Sequence, residues 1–483
     1  MSLRLKTISG FKWSFIDTVS KYFLLFFVSI ILARLLSPSD YGLIGIVGVF
    51  LGFSRVFIDG GFSDALIRKV NCTIEDYSSV FMFNMFLATF FYLLLFFTAP
   101  LISIFFKHPQ LTNLIRMSSL GLIINASSSV HSVILKKSIN FRLLAIISFF
   151  STILSGLVSL IMAYRGYGVW SLVWSGLIQS ALSSILLWLL NKSSIKFFFN
   201  VKILKEHFNF GLKIMLGSLI NSIYNNVYYI LIGKIYNPSL LGFYTRADNF
   251  QKLFSDNIDI IVRQVTYPVL SNIQDSKDVL KETYRTLIKY TAFVTFIILL
   301  GLFVISKCFI ILLIGEKWLP SVHYLQILCF VGLLMPLISI NINVLNVKGR
   351  SDLSLKIVLL KVILIIPTLF IGYFYGINVM LISTIFSMCL LYYIVMFFSN
   401  LILNYSIKEQ LKDIFPTFIS VFFSYFPSIL IGLSNHFSPI MTLILQLIIA
   451  SIMLIFCFEF FKNKEYLVIK NQVLKIFHSK LKI

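Results

Sequence analysis

The sequence predicts an all-α membrane protein of about fourteen transmembrane helices, arranged as two parallel six-helix lobes followed by two C-terminal helices. Three observations predict it. Of the 483 residues, 58% are hydrophobic and only 12% are charged, whereas a soluble domain carries about 25% charged residues. Stretches long enough to supply the ~20 apolar residues that cross a ~30 Å hydrocarbon layer recur along the whole chain, separated by short polar punctuation. A motif at the start of the second stretch also returns 200 positions later, from Pro38 to Pro238.

Apolar windows read against Pro, Gly and charge clusters place helices at 11–34, 41–62, 78–105, 110–135, 142–163, 168–190, 208–235, 239–268, 285–308, 320–346, 353–374, 377–399, 412–432 and 438–461. The first follows a basic start, Met1–Lys12, in the manner of a signal peptide. Its apolar part, Trp13–Leu32, is too long for a signal core and lacks a small-residue cleavage site, so it is read as an uncleaved helix. With the N-terminus inside, the inner segments hold roughly 26 Lys and Arg, among them Lys136, Lys137, Lys192 and six lysines from Lys462 to Lys482, against about six outside. Short cytoplasmic loops hold such an excess, so both termini are expected in the cytoplasm. The net charge of +22 is then a topology signal, and no nucleic-acid partner is expected.

The repeat sets the domain reading. Pro38-Ser39 and Gly42 reappear as Pro238-Ser239 and Gly242, Gly10-Phe11-Lys12 is echoed by Gly211-Leu212-Lys213, and Ile58-Asp59 by Ile258-Asp259. Six helices per half keep both halves in the same orientation, as in parallel-repeat alternating-access transporters, and put a central cavity between them. The expected organisation is 1–196 for the first lobe, 197–404 for the second, and 405–483 for the last two helices with a basic tail.

Ionisable groups at membrane depth mark functional pathways unless they merely neutralise one another. In the eighth predicted helix Asp248, Lys252, Asp256, Asp259 and Arg263 fall on an arc of roughly 80°, opposite Phe250, Phe254, Ile258, Ile261 and Val265. The second helix aligns Gly45, Gly48 and Gly52 with Arg55 and Asp59, a stripe read as close backbone approach beside an i,i+4 charge pair. The first helix offers Ser14, Asp17 and Lys21 on one face, and the seventh offers Ser218, Asn221, Asn225 and Tyr228, uncharged groups suited to sugar hydroxyls. Lys21, Arg55, Asn221, Asn225, Lys252 and Arg263 are therefore the candidates for binding a substrate in the cavity, and Asp17, Asp59, Asp256 and Asp259 the candidates for coupling to H⁺ or Na⁺.

Other features favour packing over chemistry. His131 reads as a hydrogen-bonded packing histidine, Arg116 as a side chain snorkelling from a helix end, and Lys361 as a lone cation reaching water or the cavity. The five cysteines, Cys72, Cys308, Cys329, Cys389 and Cys457, form neither a Cys-x-x-Cys motif nor a Cys/His cluster, so no metal and no disulfide framework is expected. No phosphate loop, His-Glu-x-x-His or nucleophile elbow occurs, so no catalytic residue is assigned and an enzyme is not expected.

Four segments carry a resemblance. Ala33-Arg34-Leu35-Leu36-Ser37-Pro38-Ser39-Asp40-Tyr41-Gly42, Gly242-Phe243-Tyr244-Thr245-Arg246-Ala247, Gly315-Glu316-Lys317-Trp318-Leu319-Pro320 and Lys348-Gly349-Arg350-Ser351-Asp352-Leu353 resemble the polysaccharide exporter family that includes the Wzx flippases, especially its WzxC-like branch. The resemblance runs from about residue 7 to beyond residue 400. It implies a fold like that of the MATE and MurJ transporters. It implies transfer of an undecaprenyl-pyrophosphate-linked oligosaccharide repeat unit from the cytoplasmic to the outer leaflet of a bacterial inner membrane, for O-antigen, capsule or related surface glycan, with membrane lipid and polysaccharide polymerase machinery as partners. A lipid II flippase and a cation-coupled multidrug antiporter of the same fold stay open as alternatives. In the related lipid II flippases cavity arginines lie on helices 1, 2 and 8. Arg55 matches on helix 2, but helix 1 has Lys21 and helix 8 mixes Lys252 and Arg263 with acids, so that correspondence is partial.

Overall fold

A computed structural model of the chain describes residues 3–191, 195–196, 198–433 and 437–480, with the side chains of 3–12, 14, 15, 18, 19, 22 and 473–480 outside the description. Ser14 and the topology residues Arg4, Lys6, Lys12, Lys192, Lys475, Lys480 and Lys482 lie outside the described residues. Among the described residues no strand occurs, and fourteen helices of 21 to 38 residues each coincide with one predicted span. The chain divides into two compact units, Met1–Gly242 and Phe243–Ile483.

The first unit holds α1 (Leu3–Leu35), α2 (Pro38–Asp59), a short α3 (Phe62–Arg68), α4 (Ile74–Phe106), α5 (Gln110–Lys137), α6 (Phe141–Tyr164), α7 (Trp170–Leu190) and α8 (Val201–Ile235). Helix α8 belongs to this unit because it packs on α2, α3 and α4. Helix α2 starts with Pro38 behind a capping box, in which Ser37 N–H donates to Asp40 Oδ2 (2.9 Å) and Asp40 N–H donates to Ser37 Oγ (3.3 Å). It stops at Asp59 because Gly60 and Gly61 follow at φ 53° and 72°, a conformation other residues rarely adopt. The sequence reading carried this helix to 62, whereas the chain restarts there as α3. Helix α9 (Pro238–Asn272) begins at the second copy of the repeated motif and crosses the division between the units.

The two motif copies meet. A Cβ on Gly42 would lie 1.9 Å from the Pro238 carbonyl oxygen, and one on Gly242 would lie 1.8 Å from the Pro38 carbonyl oxygen. Glycine recurs at both places because each copy presses its backbone on the proline of the other. Where α3, α4, α5 and α8 converge, Phe62, Leu66, Val80, Phe81, Val130, Val133 and Leu204 form a core. Lys69 rims it, 2.8 Å from Asp76 and 3.3 Å from Glu206. The hydrogen bond to Asp76, with Glu206 adding to it, holds the Lys69 ammonium above its ordinary pKa.

The second unit holds most of α9 and α10 (Lys277–Ile314), α11 (Pro320–Val347), α12 (Ser351–Tyr375), α13 (Ile377–Leu403), α14 (Ile407–Leu433), α15 (Pro439–Phe460) and α16 (Lys464–Lys480). The last two long helices, which the repeat leaves unexplained, both pack on α10. Asp413 of α14, its side chain 6% exposed, accepts hydrogen bonds from Arg285 Nη2 (2.8 Å) and the Tyr405 hydroxyl (2.5 Å) and lies 3.1 Å from Lys289 Nζ. Deeper in, the Tyr425 hydroxyl donates to the Ile297 carbonyl (2.8 Å), and Gln446 Nε2 donates to the carbonyls of Val304 (3.3 Å) and Ser428 (3.1 Å).

Among the described residues eleven spans, one of them α2 with α3, are long and apolar enough to cross a membrane. Helices α8 and α9 are as long but more polar, and the described apolar stretch of α1 is Phe23–Leu35. The chain is a multi-pass membrane protein, and these three helices, with α2, bear the charged and amide candidates.

Candidate functional site

Within the first unit α1, α2, α5, α6 and α7 enclose a cavity of about 600 Å³. Its lining follows helical spacing on each of the last three helices: Asn125, Ser132 and Lys136 on α5; Leu144, Ile147, Ser148 and Ser151 on α6; Gly176, Gln179, Ser180, Ser183 and Leu187 on α7. Asp17 and Lys21 project from α1 and Arg55 from α2. From Asn125 to Lys136 the lining descends about 16 Å along α5, roughly half the thickness of a hydrocarbon layer.

Local sequence explains how these groups come together. Gly156 of α6 packs against Val28 of α1, a Cβ there falling 2.8 Å from the valine, so α1 lies close along α6. Arg142 covers the ring of Trp13 at 5.4 Å, holding the same two helices together further down. Asn125 Nδ2 donates to Ser180 Oγ (3.0 Å) and Gln179 Nε2 to Thr152 Oγ1 (3.2 Å), fixing α7 against α5 and α6. The glycine stripe of α2 works differently from the sequence reading. A Cβ on Gly48 would meet nothing within 4 Å, and one on Gly52 nothing nearer than 3.9 Å. Gly48 borders a smaller space of about 130 Å³ that shares Arg55, Gly176 and Ser180 with the main cavity. There the missing side chain keeps volume open rather than bringing backbones together.

Among the described residues the lining carries three cations, Lys21, Arg55 and Lys136, against one carboxylate, Asp17. None of the four makes an ion pair with a described residue. The i,i+4 pair expected between Arg55 and Asp59 does not form; Asp59 Oδ1 accepts instead from the hydroxyl of Ser63, just across the Gly60-Gly61 break. Arg55 is thereby left to the cavity.

The charged ladder of α9 lies in the second unit and is internally matched. Lys252 Nζ sits 2.8 Å from Asp248 Oδ2, and Arg263 Nη2 sits 2.7 Å from Asp259 Oδ2. Ser339 of α11 and Lys361 of α12 also face Asp259, and Lys361 stands near Asp256 as well. With Lys361 the ladder has as many cations as carboxylates. Asn221 and Asn225 are exposed on α8 and belong to neither group.

The structure thus gathers Asp17, Lys21 and Arg55 into one cavity and leaves Asp59, Asn221, Asn225, Lys252, Asp256, Asp259 and Arg263 out of it. Sequence reasoning missed Lys136, counted as a loop charge, and the hydroxyl and amide groups of α5 to α7. Their recurrence at i, i+3, i+4 and i+7 was the signal available. His131 is buried against Trp188, ring centroids 4.4 Å apart, and Arg116 lies over Phe96 at 4.3 Å, both as packing groups. Among the described residues no group of His, Cys, Asp and Glu is placed to hold a metal ion.

With this geometry in hand, comparison with known proteins is informative. A sequence profile of the family described as polysaccharide biosynthesis protein matches residues 31–323. The chain is 27% identical to the lipopolysaccharide biosynthesis protein WzxC of Escherichia coli (strain K12), over 77% of this chain and 76% of that one. It is 27% identical to the teichuronic acid biosynthesis protein TuaB of Bacillus subtilis (strain 168), over 73% and 74%. Among solved structures, the lipid II flippase MurJ in an inward closed conformation superposes with a TM-score of 0.76, covering 94% of this chain and 99% of that one. At 16% identity that likeness establishes a shared fold.

Proposed function

Since this chain belongs to the polysaccharide biosynthesis protein family, we propose that it is the exporter of a lipid-linked oligosaccharide repeat unit, moving it from the cytoplasmic to the outer leaflet of a bacterial inner membrane. The observation that carries this reading is the cavity of the first unit, in which, among the described residues, three cations face one carboxylate without ion-pair partners. Unpaired charge at membrane depth costs several kcal/mol unless it meets water or a counter-ion. A diphosphate headgroup supplies that counter-charge, and charge-assisted contacts to phosphate are the strong kind. The polyprenyl tail never has to leave the lipid, so only the headgroup needs a polar passage. Both termini are cytoplasmic in this reading, and polymerase machinery outside receives the product.

Lys21, Arg55 and Lys136 hold the headgroup, and Asp17 keeps it from being held too tightly. Lys252 and Arg263 are each engaged by an aspartate, so their contribution is secondary. Asp17, Asp59, Asp256 and Asp259 are the candidates for coupling to H⁺ or Na⁺.

Deleting the gene in its host, with surface glycan, cell integrity and drug resistance measured together, tests the proposal. Loss of surface polysaccharide from intact cells is expected. Lysis with accumulated cell-wall precursor would transfer the assignment to lipid II, and altered drug resistance alone would transfer it to a drug antiporter.

A further inference from the structure

A second, smaller cleft of the first unit shares no residue with the cavity. It forms where the end of the α2–α3 span meets α8. A Cβ on Gly61 would fall 2.4 Å from the Gly211 carbonyl oxygen, and one on Gly211 would fall 2.7 Å from that of Gly60, so backbone is pressed on backbone at the start of α3. Beside this contact Ala65, Arg68 and Lys69 face Glu206, His207 and Phe210 across about 240 Å³. The end of α3 is fixed by Lys137 of α5, whose ammonium donates to the carbonyls of Leu66 (3.1 Å) and Lys69, as cations do at helix C-termini. His207 is buried, its Nε2 3.5 Å from Asp76 Oδ1. Of the two lysine and arginine cations in the lining, Lys69 is matched by Asp76 and Glu206. Arg68 is not: its guanidinium lies over the Phe210 ring at 4.4 Å and makes no ion pair with a described residue.

We propose that this cleft binds the phosphodiester headgroup of an anionic membrane lipid of the phosphatidylglycerol kind, with Arg68 as its principal contact. A guanidinium laid flat on a ring keeps its edge of N–H donors free, and that edge matches two oxygens of one phosphate. Stacking also removes in advance some of the rotamer freedom that binding would cost. Lys69, held between Asp76 and Glu206, offsets the carboxylate that would otherwise repel a phosphate. Lys202 and Lys205, both exposed on α8, outnumber Glu206 on that stretch and keep the local field positive. The surroundings point to a lipid and not to a soluble phosphate. On the segments that supply the lining, Ile67, Ile74 and Phe208 are exposed and Val70 is 85% exposed. Apolar side chains beside cations at the end of a span fit the headgroup region, where acyl chains cover the one and phosphates the other. With less than half the volume of the main cavity, the cleft suits a small headgroup. The occupant is resident lipid and not cargo, so the site does not depend on the export reading.

The test titrates purified full-length protein in detergent with phosphatidylglycerol, with phosphatidylcholine of the same chains and with soluble glycerol phosphate, bound molecules being counted by native mass spectrometry. The wild type should bind phosphatidylglycerol about tenfold more tightly than either of the others, the scale of a charge-assisted phosphate contact. Arg68→Ala should remove most of that preference. Phe210→Leu, which keeps the bulk and loses the ring, should weaken it about two- to fourfold. Lys205→Ala, on α8 but outside the lining, should change it by about twofold or less. A wild type without preference for phosphatidylglycerol, or a preference that survives in both Arg68→Ala and Phe210→Leu, would overturn the site. Equal losses in Arg68→Ala and Lys205→Ala would overturn it too, by showing diffuse surface charge. Glycerol phosphate bound as tightly as the lipid would overturn the lipid assignment.

Discussion

The cavity of the first unit and the α9 ladder of the second contain the same residue types at the same helical spacings, yet their charges are used in opposite ways. Along α9 each cation has its carboxylate: Lys252 lies 2.8 Å from Asp248 and Arg263 lies 2.7 Å from Asp259. Around the cavity Lys21, Arg55 and Lys136 have no such partner among the described residues, and the nearest acid by sequence to Arg55 is taken by Ser63. The α9 pairs neutralise their charge along one helix, whereas on the reading proposed above the unmatched charge beside open volume serves a ligand. What separates the two regions is therefore whether counter-charge is built in or brought in.

The largest consequence falls on Arg55. Its guanidinium borders both the main cavity and the smaller space beside Gly48. Arg55→Ala should lower surface polysaccharide at least tenfold at matched levels of protein in the membrane, the scale of losing a charge-assisted phosphate contact. Arg55→Lys should recover only part of this, because an ammonium lacks the planar fork. Stability should be unchanged, since no internal ion pair is lost. If the alanine variant unfolds more easily while export per folded molecule is retained, Arg55 belongs with the ladder and the contrast breaks.

The ladder should give the reverse pattern. A double-mutant cycle on Asp248 and Lys252, read by thermal unfolding in detergent, should return a coupling of about 0.5–1.5 kcal/mol, because the carboxylate is buried and the ammonium half-buried. Removing both together should change export less than about threefold, well below the loss at Arg55. A negligible coupling together with a severe export defect would move Lys252 to the headgroup-binding set.

Much of this architecture is legible in the sequence, for a definite physical reason. A span needs about 20 apolar residues, so most of the long helices are legible in hydropathy and punctuation, while α8 and α9 are carried by length and spacing more than by apolarity. The start of α2 is equally legible in Ser37, Pro38 and Asp40, and its end is written in Gly60-Gly61. The repeat was visible too, but what it does was not: that Gly42 and Gly242 each face the other copy's proline is a long-range contact with no local signature. The site was half legible. An i,i+4 spacing of opposite charges is the same whether the two side chains bind each other or diverge, so spacing alone could not separate Asp248/Lys252 from Arg55/Asp59. Lys136 was hidden because a lysine at the end of a span looks like a topology residue even when it lines a cavity mouth. The serines were hidden because isolated hydroxyls are common in helices, and only their place around the cavity separates them from packing groups.

The smallest expected effect concerns Asp17, the single carboxylate among the described residues of the cavity lining. Beside three cations it weakens their combined pull on an anion, which favours release at the end of the cycle. Half-buried and facing open volume, it acts through screened electrostatics, so Asp17→Asn should alter anion binding by about 0.5 kcal/mol, or two- to threefold. In proteoliposomes the variant should show a lower KM for the lipid-linked substrate together with a lower maximal rate, tighter capture at the cost of slower discharge. If the rate instead falls to zero with KM unchanged, Asp17 takes part in driving the cycle itself and not in tuning affinity. The cavity would then contain both the headgroup site and the coupling site, and its contrast with the ladder would become sharper.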